Sequence, residues 1–332
     1  MKTTTGAQII VFIRSSQQAS PHEIQKALGI SPQALHRQLK KLILLGQILK
    51  VGRAPRVFYK LTEAPPTSQS GSVLLSGPVQ KFIEDKYLYA DPQGWLLNGV
   101  EGFFAWAKNT QQFKLIDKLS NEYITVRKDA DSHFEKQGFL IEATPKFKAT
   151  FDKSFLDEVF YVDFYSLPKF GKTKLGALVL HSKQAQDIRL IKVVAKETQD
   201  PIDFLIKKKK IEALVWVPHS LPRKVPFLKI LREQLNLSLP EIPFVKAYKG
   251  EIPIAQKSLS KLDERIENAS STIFPKNTHS DYKRILVIDD AVGSGATLEA
   301  VAKKLKHMNP RAVVFGFAVV GSIKGFEVIK EI

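Results

Sequence analysis

Two adjacent carboxylates, Asp289 and Asp290, end a strongly apolar run and are followed by a loop of small residues. The apolar run predicts a strand over residues 284–289, and the spacing that follows predicts a helix over residues 294–307. Glycines in such a loop let backbone N–H groups close around an anion, and the helix N-terminus adds positive potential. The carboxylates would repel a phosphate, so we expect them to face hydroxyl groups beside it. The pattern therefore predicts a site for a sugar phosphate.

This segment resembles the phosphoribosyl-pyrophosphate (PRPP) motif of type I phosphoribosyltransferases, in which a strand, an acid pair and a Gly/Ser/Thr loop follow in that order. The resemblance implies that the acid pair holds the ribose 2′ and 3′ hydroxyls and that the loop cradles the 5′-phosphate. It also implies that Mg²⁺ arrives with PRPP and bridges ribose and diphosphate. The implied PRPP-binding residues are Asp289, Asp290, Ala291, Val292, Gly293, Ser294, Gly295, Ala296 and Thr297.

Residues upstream of the acid pair narrow the resemblance to ComF-like phosphoribosyltransferases. That family has a Gln, a Leu, an Arg and an Asn before the PRPP motif. This chain is similar, with Gln256, Leu259, Arg265 and Asn268, followed by Phe274. The same spacing is also typical of a plain amphipathic helix over residues 259–268.

Two departures from the family pattern concern residues that catalytic turnover would need. The resemblance places Arg223 and Lys224 where they could meet the diphosphate, but the family continues with Arg-Gly-Phe-Asn-Gln, which residues 225–229 do not match. Purine-salvage relatives have an acidic side chain where Gly293 stands, and glycine can take no proton. The catalytic residues implied by the resemblance are Asp289, Asp290, Arg223 and Lys224.

The first sixty residues carry much of the positive charge of the chain. The whole chain has 50 Lys and Arg against 33 Asp and Glu, a net charge of +17, and residues 1–60 hold six Lys and four Arg against the single acid Glu23. Such an excess points to a polyanionic partner, with a solvated basic face as the alternative.

The same segment has the signals of a helix-turn-helix followed by a hairpin. Helical spacing over residues 8–15, 21–28 and 32–45 precedes strand patterns over residues 47–51 and 56–61. Together they resemble a winged-helix domain of the small bacterial repressor type. The resemblance implies that the third helix lies in the major groove of double-stranded DNA and that the hairpin touches the backbone. The implied DNA-binding residues are Gln33, His36, Arg37, Lys40, Arg53 and Arg56.

The remaining chain divides by composition. A winged-helix domain over residues 1–62 is followed by a linker, 63–78, rich in Pro, Ser, Thr and Gly. Residues 79–154 concentrate aromatic side chains, which predicts a mixed connecting or dimerisation module, with either a packed core or an aromatic recognition surface. From residue 155 to residue 332, strands and helices alternate, which predicts an α/β fold with a mostly parallel sheet and a phosphoribosyltransferase-like domain. Expected strands cover residues 159–166, 175–181, 213–218, 243–248, 284–289 and 312–320, and expected helices cover residues 186–196, 201–209, 226–235, 259–268 and 294–307.

Composition excludes several classes of protein. The chain has no cysteine, which excludes a disulfide scaffold and a thiolate zinc site and favours a reducing cytoplasm. No apolar stretch reaches membrane-spanning length, and the N-terminal residues predict no signal peptide.

Two functions fit these patterns. The first is a transcription regulator, similar in arrangement to purine operon repressors, that binds DNA and senses PRPP or a nucleotide as a homodimer. The second is an active ComF-like phosphoribosyltransferase, serving nucleotide salvage or related to DNA uptake, with a regulatory winged helix. The intact acid pair and loop predict ligand binding, whereas the two departures lean against efficient turnover, so the sequence favours the regulator.

Overall fold

The fold was analysed in a computed structural model of the 332-residue chain. It describes residues 5–16, 18–44, 48–53, 56–61, 75–91, 95–136, 138–151, 153–219, 223–247, 262–276 and 279–322. These residues belong to two compact units, Met1–Val73 and Leu74–Ile332. The predicted middle module and the predicted phosphoribosyltransferase-like domain therefore lie in one unit.

The first unit contains three helices and one hairpin. They are α1 (Thr5–Ser16), α2 (Pro21–Leu28), α3 (Pro32–Leu44), β1 (Ile48–Arg53) and β2 (Arg56–Leu61). Ser20 and Glu23 form a reciprocal capping box at the start of α2, and Gly29 ends that helix at φ 63°. These local signals act within a few residues of the chain, which is why the sequence predicts the bounds of α2.

The core of the first unit lies between the helices and the hairpin. Ile9 and Ile13 of α1, Leu35 and Leu39 of α3, and Tyr59 of β2 are buried there. The strands β1 and β2 pair antiparallel. The main chain of Ala19 also pairs with Tyr59, with N···O distances of 2.9 and 2.7 Å. The hairpin is therefore fixed to the segment that leads into α2.

The second unit begins with a largely helical part and continues into a sheet. The first part consists of α4 (Gly77–Lys86), β3 (Leu88–Ala90), β4 (Leu96–Asn98), α5 (Gly99–Asn109), α6 (Ile116–Asp131), β5 (Ile141–Glu142) and α7 (Thr144–Thr150). The second part begins with β6 (Glu158–Phe164), β7 (Ser166–Leu167), β8 (Gly171–Lys172), α8 (Lys174–Gln184), α9 (Ile188–Lys209), β9 (Ala213–Trp216) and α10 (Phe227–Leu235). It ends with β10 (Phe244–Lys246), α11 (Leu262–Thr272), β11 (Ile273–Pro275), β12 (Arg284–Val292), α12 (Ala296–Met308) and β13 (Val313–Gly321).

The main sheet has five strands in the order β5-β6-β13-β12-β9. The strands β6, β13, β12 and β9 run parallel, and the short edge strand β5 is antiparallel to β6. The fold is therefore mixed α/β with a mostly parallel sheet, as the alternating pattern predicts. The chain crosses from β6 to the far edge at β9 and returns through β12 to β13. Because such crossovers are almost always right-handed, crossovers in opposite directions along the sheet are expected to place helices on opposite faces.

The predicted strand over residues 175–181 is wrong, because these residues form the middle of helix α8. The run is apolar on all sides, and periodicity cannot tell a buried strand from a buried helix. The helix begins where the Thr173 hydroxyl accepts a hydrogen bond from the Gly176 N–H (2.9 Å). Because α8 packs on both β6 and β13 and on α9, its side chains are buried around nearly the whole helix.

Three other predicted elements differ from the structure. The helices expected over residues 186–196 and 201–209 form one continuous helix, α9, with Pro201 inside it. Proline removes one backbone donor, and the buried packing of α9 outweighs that local loss. The strand expected over residues 243–248 is reduced to β10, which pairs antiparallel with β11 and not with the main sheet. Tyr248 lies outside the described residues.

The aromatic side chains of the middle region form a packed core. Phe103 and Trp106 of α5 are buried, and the Phe103 ring lies edge-on to Tyr87 at 5.1 Å and tilted against Tyr123 at 5.6 Å. Phe170, from the segment after β6, stacks on Phe103 at 6.3 Å. The burial of these rings supports the prediction of a packed core over that of an aromatic recognition surface.

A buried ion pair also joins the middle region to the sheet. Arg127 of α6 has only 4% of its side chain exposed, and its Nη1 lies 3.0 Å from a carboxylate oxygen of Asp163 on β6. Arg127 Nη2 lies 2.6 Å from Asp131. An arginine buried this far needs such paired carboxylates. Together with the pairing of β5 and β6, the ion pair joins residues on both sides of the predicted boundary at residue 155.

Candidate functional site

The acid pair lies at the carboxyl end of β12, in the interior of the sheet. Asp289 is in register with Ala318 of β13, and the strand continues to Val292, three residues beyond its predicted end. The Asp290 N–H donates a hydrogen bond to Oδ1 of Asp289 (2.8 Å). Ligands of parallel sheets bind at this edge, where the connections leave the strands.

The predicted phosphate loop is a tight turn between β12 and α12. Gly295 has φ 80° and immediately precedes α12. The Ala296 N–H approaches the Ser294 hydroxyl oxygen at 3.4 Å. A Cβ atom at Gly295 would lie 2.5 Å from the ring of Phe147, so both the backbone angle and the packing require glycine. The N-terminus of α12 therefore opens directly from the loop, as an anion site requires.

Lys183 is the residue that sequence reasoning missed. Its ammonium lies 2.9 Å from Oδ2 of Asp290, and the two side chains are only 11% and 18% exposed. Lys183 lies in the last turn of α8, the helix that the apolar pattern assigned to a strand. No spacing rule could have found it, because its pairing with Asp290 depends on the position of α8 over the sheet.

The two predicted diphosphate residues have different surroundings. Arg223 donates a hydrogen bond to the main-chain carbonyl oxygen of Lys183. The Val225 N–H donates to Oε1 of Gln186 (3.1 Å), which anchors the same segment. Lys224 is exposed, and within the described residues it forms no ion pair. The structure thus brings Arg223 to the end of α8 that carries Lys183, whereas Lys224 faces solvent.

A second lysine flanks the acid pair from another element. Burial lowers the pKa of Lys246 on β10, and the negative charge of Asp289 opposes that shift. The Lys183 ammonium therefore pairs with Asp290, and the charge of Lys246 interacts with that of Asp289. Cations near a carboxylate pair suit a ligand that combines hydroxyl groups with anionic groups.

Glu299 supports the loop from the first turn of α12. It is 6% exposed and accepts hydrogen bonds from the Ser154 hydroxyl and from the Phe155 N–H (2.8 Å). Burial raises the pKa of this carboxyl, and the hydrogen bonds only partly oppose the shift. The contact ties α12 to the segment before β6, so it holds the start of the helix in place.

The ComF-like positions are only partly described. Gln256 and Leu259 lie outside the described residues. Arg265 is buried on α11, and burial lowers the pKa of its guanidinium. Phe274 on β11 is 41% exposed, and Lys304 Nζ lies 4.0 Å from the centre of its ring. Arg265 and Asn268 lie on α11, which packs against α12.

In the first unit, the predicted DNA-binding residues of α3 share one face. Gln33, His36 and Arg37 are exposed, while Leu35 and Leu39 on the opposite face are buried. The side chains of Lys40, Arg53 and Arg56 lie outside what the structure describes. Arg53 and Arg56 are paired across the end of the hairpin in the backbone register.

Two other features are absent from the described part of the chain. No group of three or more His, Asp or Glu side chains there is arranged to hold a metal ion. None of the helices that the structure describes combines the length and the apolar character needed to cross a lipid bilayer.

Comparison with known proteins leaves the site to be judged on its own geometry, since no protein-family model matches the chain and no curated protein matches it either.

Proposed function

We propose that the protein is a transcription regulator that binds DNA through its basic first unit and binds PRPP or a nucleotide at the end of β12. One observation supports the proposal most directly: the acid pair lies near the carboxyl end of an interior parallel strand, which leads through a glycine turn into the N-terminus of α12. That arrangement offers carboxylates to sugar hydroxyls and backbone N–H groups to a phosphate.

In the proposed complex, the 5′-phosphate lies against residues 293–297, where the start of α12 adds positive potential. The ribose hydroxyls donate to Asp289 and Asp290. Mg²⁺ fits this site as a ligand-borne ion, because it is commonly held by one or two carboxylates together with substrate phosphates. When bound, it would neutralise the diphosphate. Lys183 and Arg223 add positive charge on the α8 side, where the diphosphate would lie.

The proposed DNA contact rests on charge and on exposure. Residues 1–60 carry ten basic residues against one acid, and Arg37 and His36 are exposed on the outer face of α3. A major groove about 12 Å wide admits such a helix. In a homodimer that resembles a winged-helix repressor, a ligand would shift the spacing of the two DNA-binding helices, provided that it binds the two arrangements with different affinity.

One observation favours the alternative, an active phosphoribosyltransferase. Lys183 pairs with Asp290, and Arg223 donates a hydrogen bond to the main-chain carbonyl oxygen of Lys183. Cations near the site would stabilise the pyrophosphate that departs when an acceptor nitrogen attacks C1′. The acceptor must also lose a proton, and Gly293 offers no group to take it. We therefore rank transfer second.

Calorimetric titration of the full chain with Mg-PRPP tests the shared part of both functions. We expect saturable binding that is lost in a variant carrying Asp289→Asn and Asp290→Asn, while the circular dichroism spectrum stays unchanged. Equal affinity in the variant would overturn the site.

Two further measurements separate the functions. A change in affinity for double-stranded DNA on adding Mg-PRPP, without release of pyrophosphate, supports the regulator. Steady release of pyrophosphate with a nucleobase acceptor supports the transferase.

A further inference from the structure

A cavity lies between α8 and the aromatic core of the middle region. It has a volume of about 290 Å³, and its walls include Tyr87, Trp106 and Phe170. The Trp106 and Phe170 rings are tilted against each other with centroids 5.2 Å apart. This volume is at the small end of the range for small-molecule sites, whose walls are typically apolar and aromatic.

Polar groups complete the wall. Asp91, Lys172, His181 and Gln184 all line the cavity. His181 is half-buried, and burial lowers the pKa of its imidazole. A neutral imidazole has one nitrogen that donates and one that accepts a hydrogen bond. Within the described residues, the side chains of His181 and Gln184 have no hydrogen-bond partner.

The side chains of His181 and Gln184 share a face of α8, because they are three residues apart in a helix. Lys183 points elsewhere, to Asp290. None of residues 289–297 lines the cavity. The cavity is therefore separate from the acid-pair site, although one helix carries residues of both.

We propose that this cavity is a second ligand site, which binds a neutral, planar heteroaromatic ring of the nucleobase class. The ring packs against Trp106 and Phe170, and its polar edge exchanges hydrogen bonds with His181 and Gln184. A purely hydrocarbon ring would displace water from these donors and acceptors without replacing its hydrogen bonds. Because the wall holds one acidic and one basic residue, Asp91 and Lys172, its charges balance and it suits a ligand without net charge. The proposal does not depend on PRPP binding or on DNA binding.

Calorimetric titration of the full chain with adenine and with uracil, both without PRPP, tests the proposal. We expect at least one of the two probes to bind saturably and His181→Leu, which keeps the size of the side chain, to weaken that binding at least tenfold. His307→Leu is the matched control, because His307 is exposed on α12 and is expected to leave binding unchanged.

Tryptophan fluorescence locates the bound ring. The chain has three tryptophans, Trp95, Trp106 and Trp216. We expect the probe to quench the emission of the native chain and Trp106→Phe, which keeps an aromatic wall, to bind the probe with a much smaller change in emission. Binding should persist in the variant with Asp289→Asn and Asp290→Asn.

Three results would overturn the proposal. The first is a dissociation constant for both probes weaker than about 1 mM, at which the binding free energy is only about 4 kcal/mol. The second is equal affinity in the native chain and in His181→Leu. The third is loss of binding in the acid-pair variant while His181 is intact, because the probe would then occupy the sugar-phosphate site. None of these results bears on whether Mg-PRPP binds.

Discussion

The ammonium of Lys183 lies 2.9 Å from the carboxylate of Asp290, and both side chains are largely buried. The pairing joins the last turn of α8 to the carboxyl end of β12. The same ammonium is in position to meet an anionic group of a ligand that lies on the acid pair. Lys183 is therefore the residue whose replacement most directly tests how the site works.

Lys183→Met should weaken the binding of Mg-PRPP at least tenfold, because the diphosphate loses a partly buried cation. Calorimetry of the variant measures the effect directly. Lys192→Met is the matched control, since Lys192 is exposed on α9 and should leave the affinity unchanged. A higher affinity in Lys183→Met would mean that the lysine blocks Asp290 in the free protein and does not contact the ligand.

Arg37→Ala should weaken binding to double-stranded DNA and reduce the magnitude of the salt slope by about 1 if the lost contact is to one phosphate. The exposed side chain of Arg37 on α3 makes this contact accessible. Binding titrations at several salt concentrations measure the slope, with Arg311→Ala, an exposed arginine of the second unit, as control. If the slope of Arg37→Ala equals that of the native chain, the basic first unit has another partner.

Gly295→Ala should destabilise the second unit. The left-handed backbone costs a residue with a Cβ atom roughly 1–2 kcal/mol, and that atom would lie 2.5 Å from the Phe147 ring. Gly77→Ala is the control, because a Cβ atom at Gly77 would meet no other part of the described chain within 4 Å. Urea denaturation measures both effects.

Adding Phe147→Ala to Gly295→Ala should recover the part of the lost unfolding free energy that comes from the ring contact. The part that comes from the backbone angle should not be recovered. A double-mutant cycle isolates that coupling. Strict additivity of the two substitutions would show that the ring moves away without cost.

Glu299→Gln should flatten the dependence of stability on pH. Burial raises the pKa of Glu299 above its ordinary value of 4.5, so the folded state holds this proton at pH values where the unfolded state has released it. The free energy of unfolding therefore falls as the pH rises from about 4.5 through the higher pKa of the folded state. Glutamine stays neutral and can still bond to Ser154 and to the Phe155 N–H, so the variant should lack this fall.

Urea denaturation at a series of pH values measures this difference, with Glu264→Gln on the exposed side of α11 as control. Glu299→Ala should lower the free energy of unfolding by about 1–3 kcal/mol at every pH, because it leaves buried hydrogen-bond donors without an acceptor. The same pH profile in Glu299→Gln and in the native chain would contradict the assignment.

The elements that the sequence predicts well are those whose signals lie within a few residues. The capping box of Ser20 and Glu23 and the left-handed Gly29 define α2 on their own. The apolar run before Asp289 identifies β12, although pairing with β13 extends that strand to Val292. The acid pair and the loop are likewise contiguous, so one short segment contains both halves of the candidate sugar-phosphate site.

Tertiary packing decided what the local pattern left ambiguous. The apolar run in α8 suits a buried strand as well as a buried helix, and only its position across β6 and β13 makes it a helix. Because the pattern assigns this run to a strand, the sequence does not predict that Lys183 and His181 lie on one helix.

The sequence alone therefore determined the acid pair, the glycine loop and the basic first unit, because each is a property of adjacent residues. Only the tertiary structure decided that Lys183 meets Asp290 and that His181 and Trp106 line the same cavity. Both arrangements join residues that are distant in the chain, and they exist only once helices and sheet have packed together.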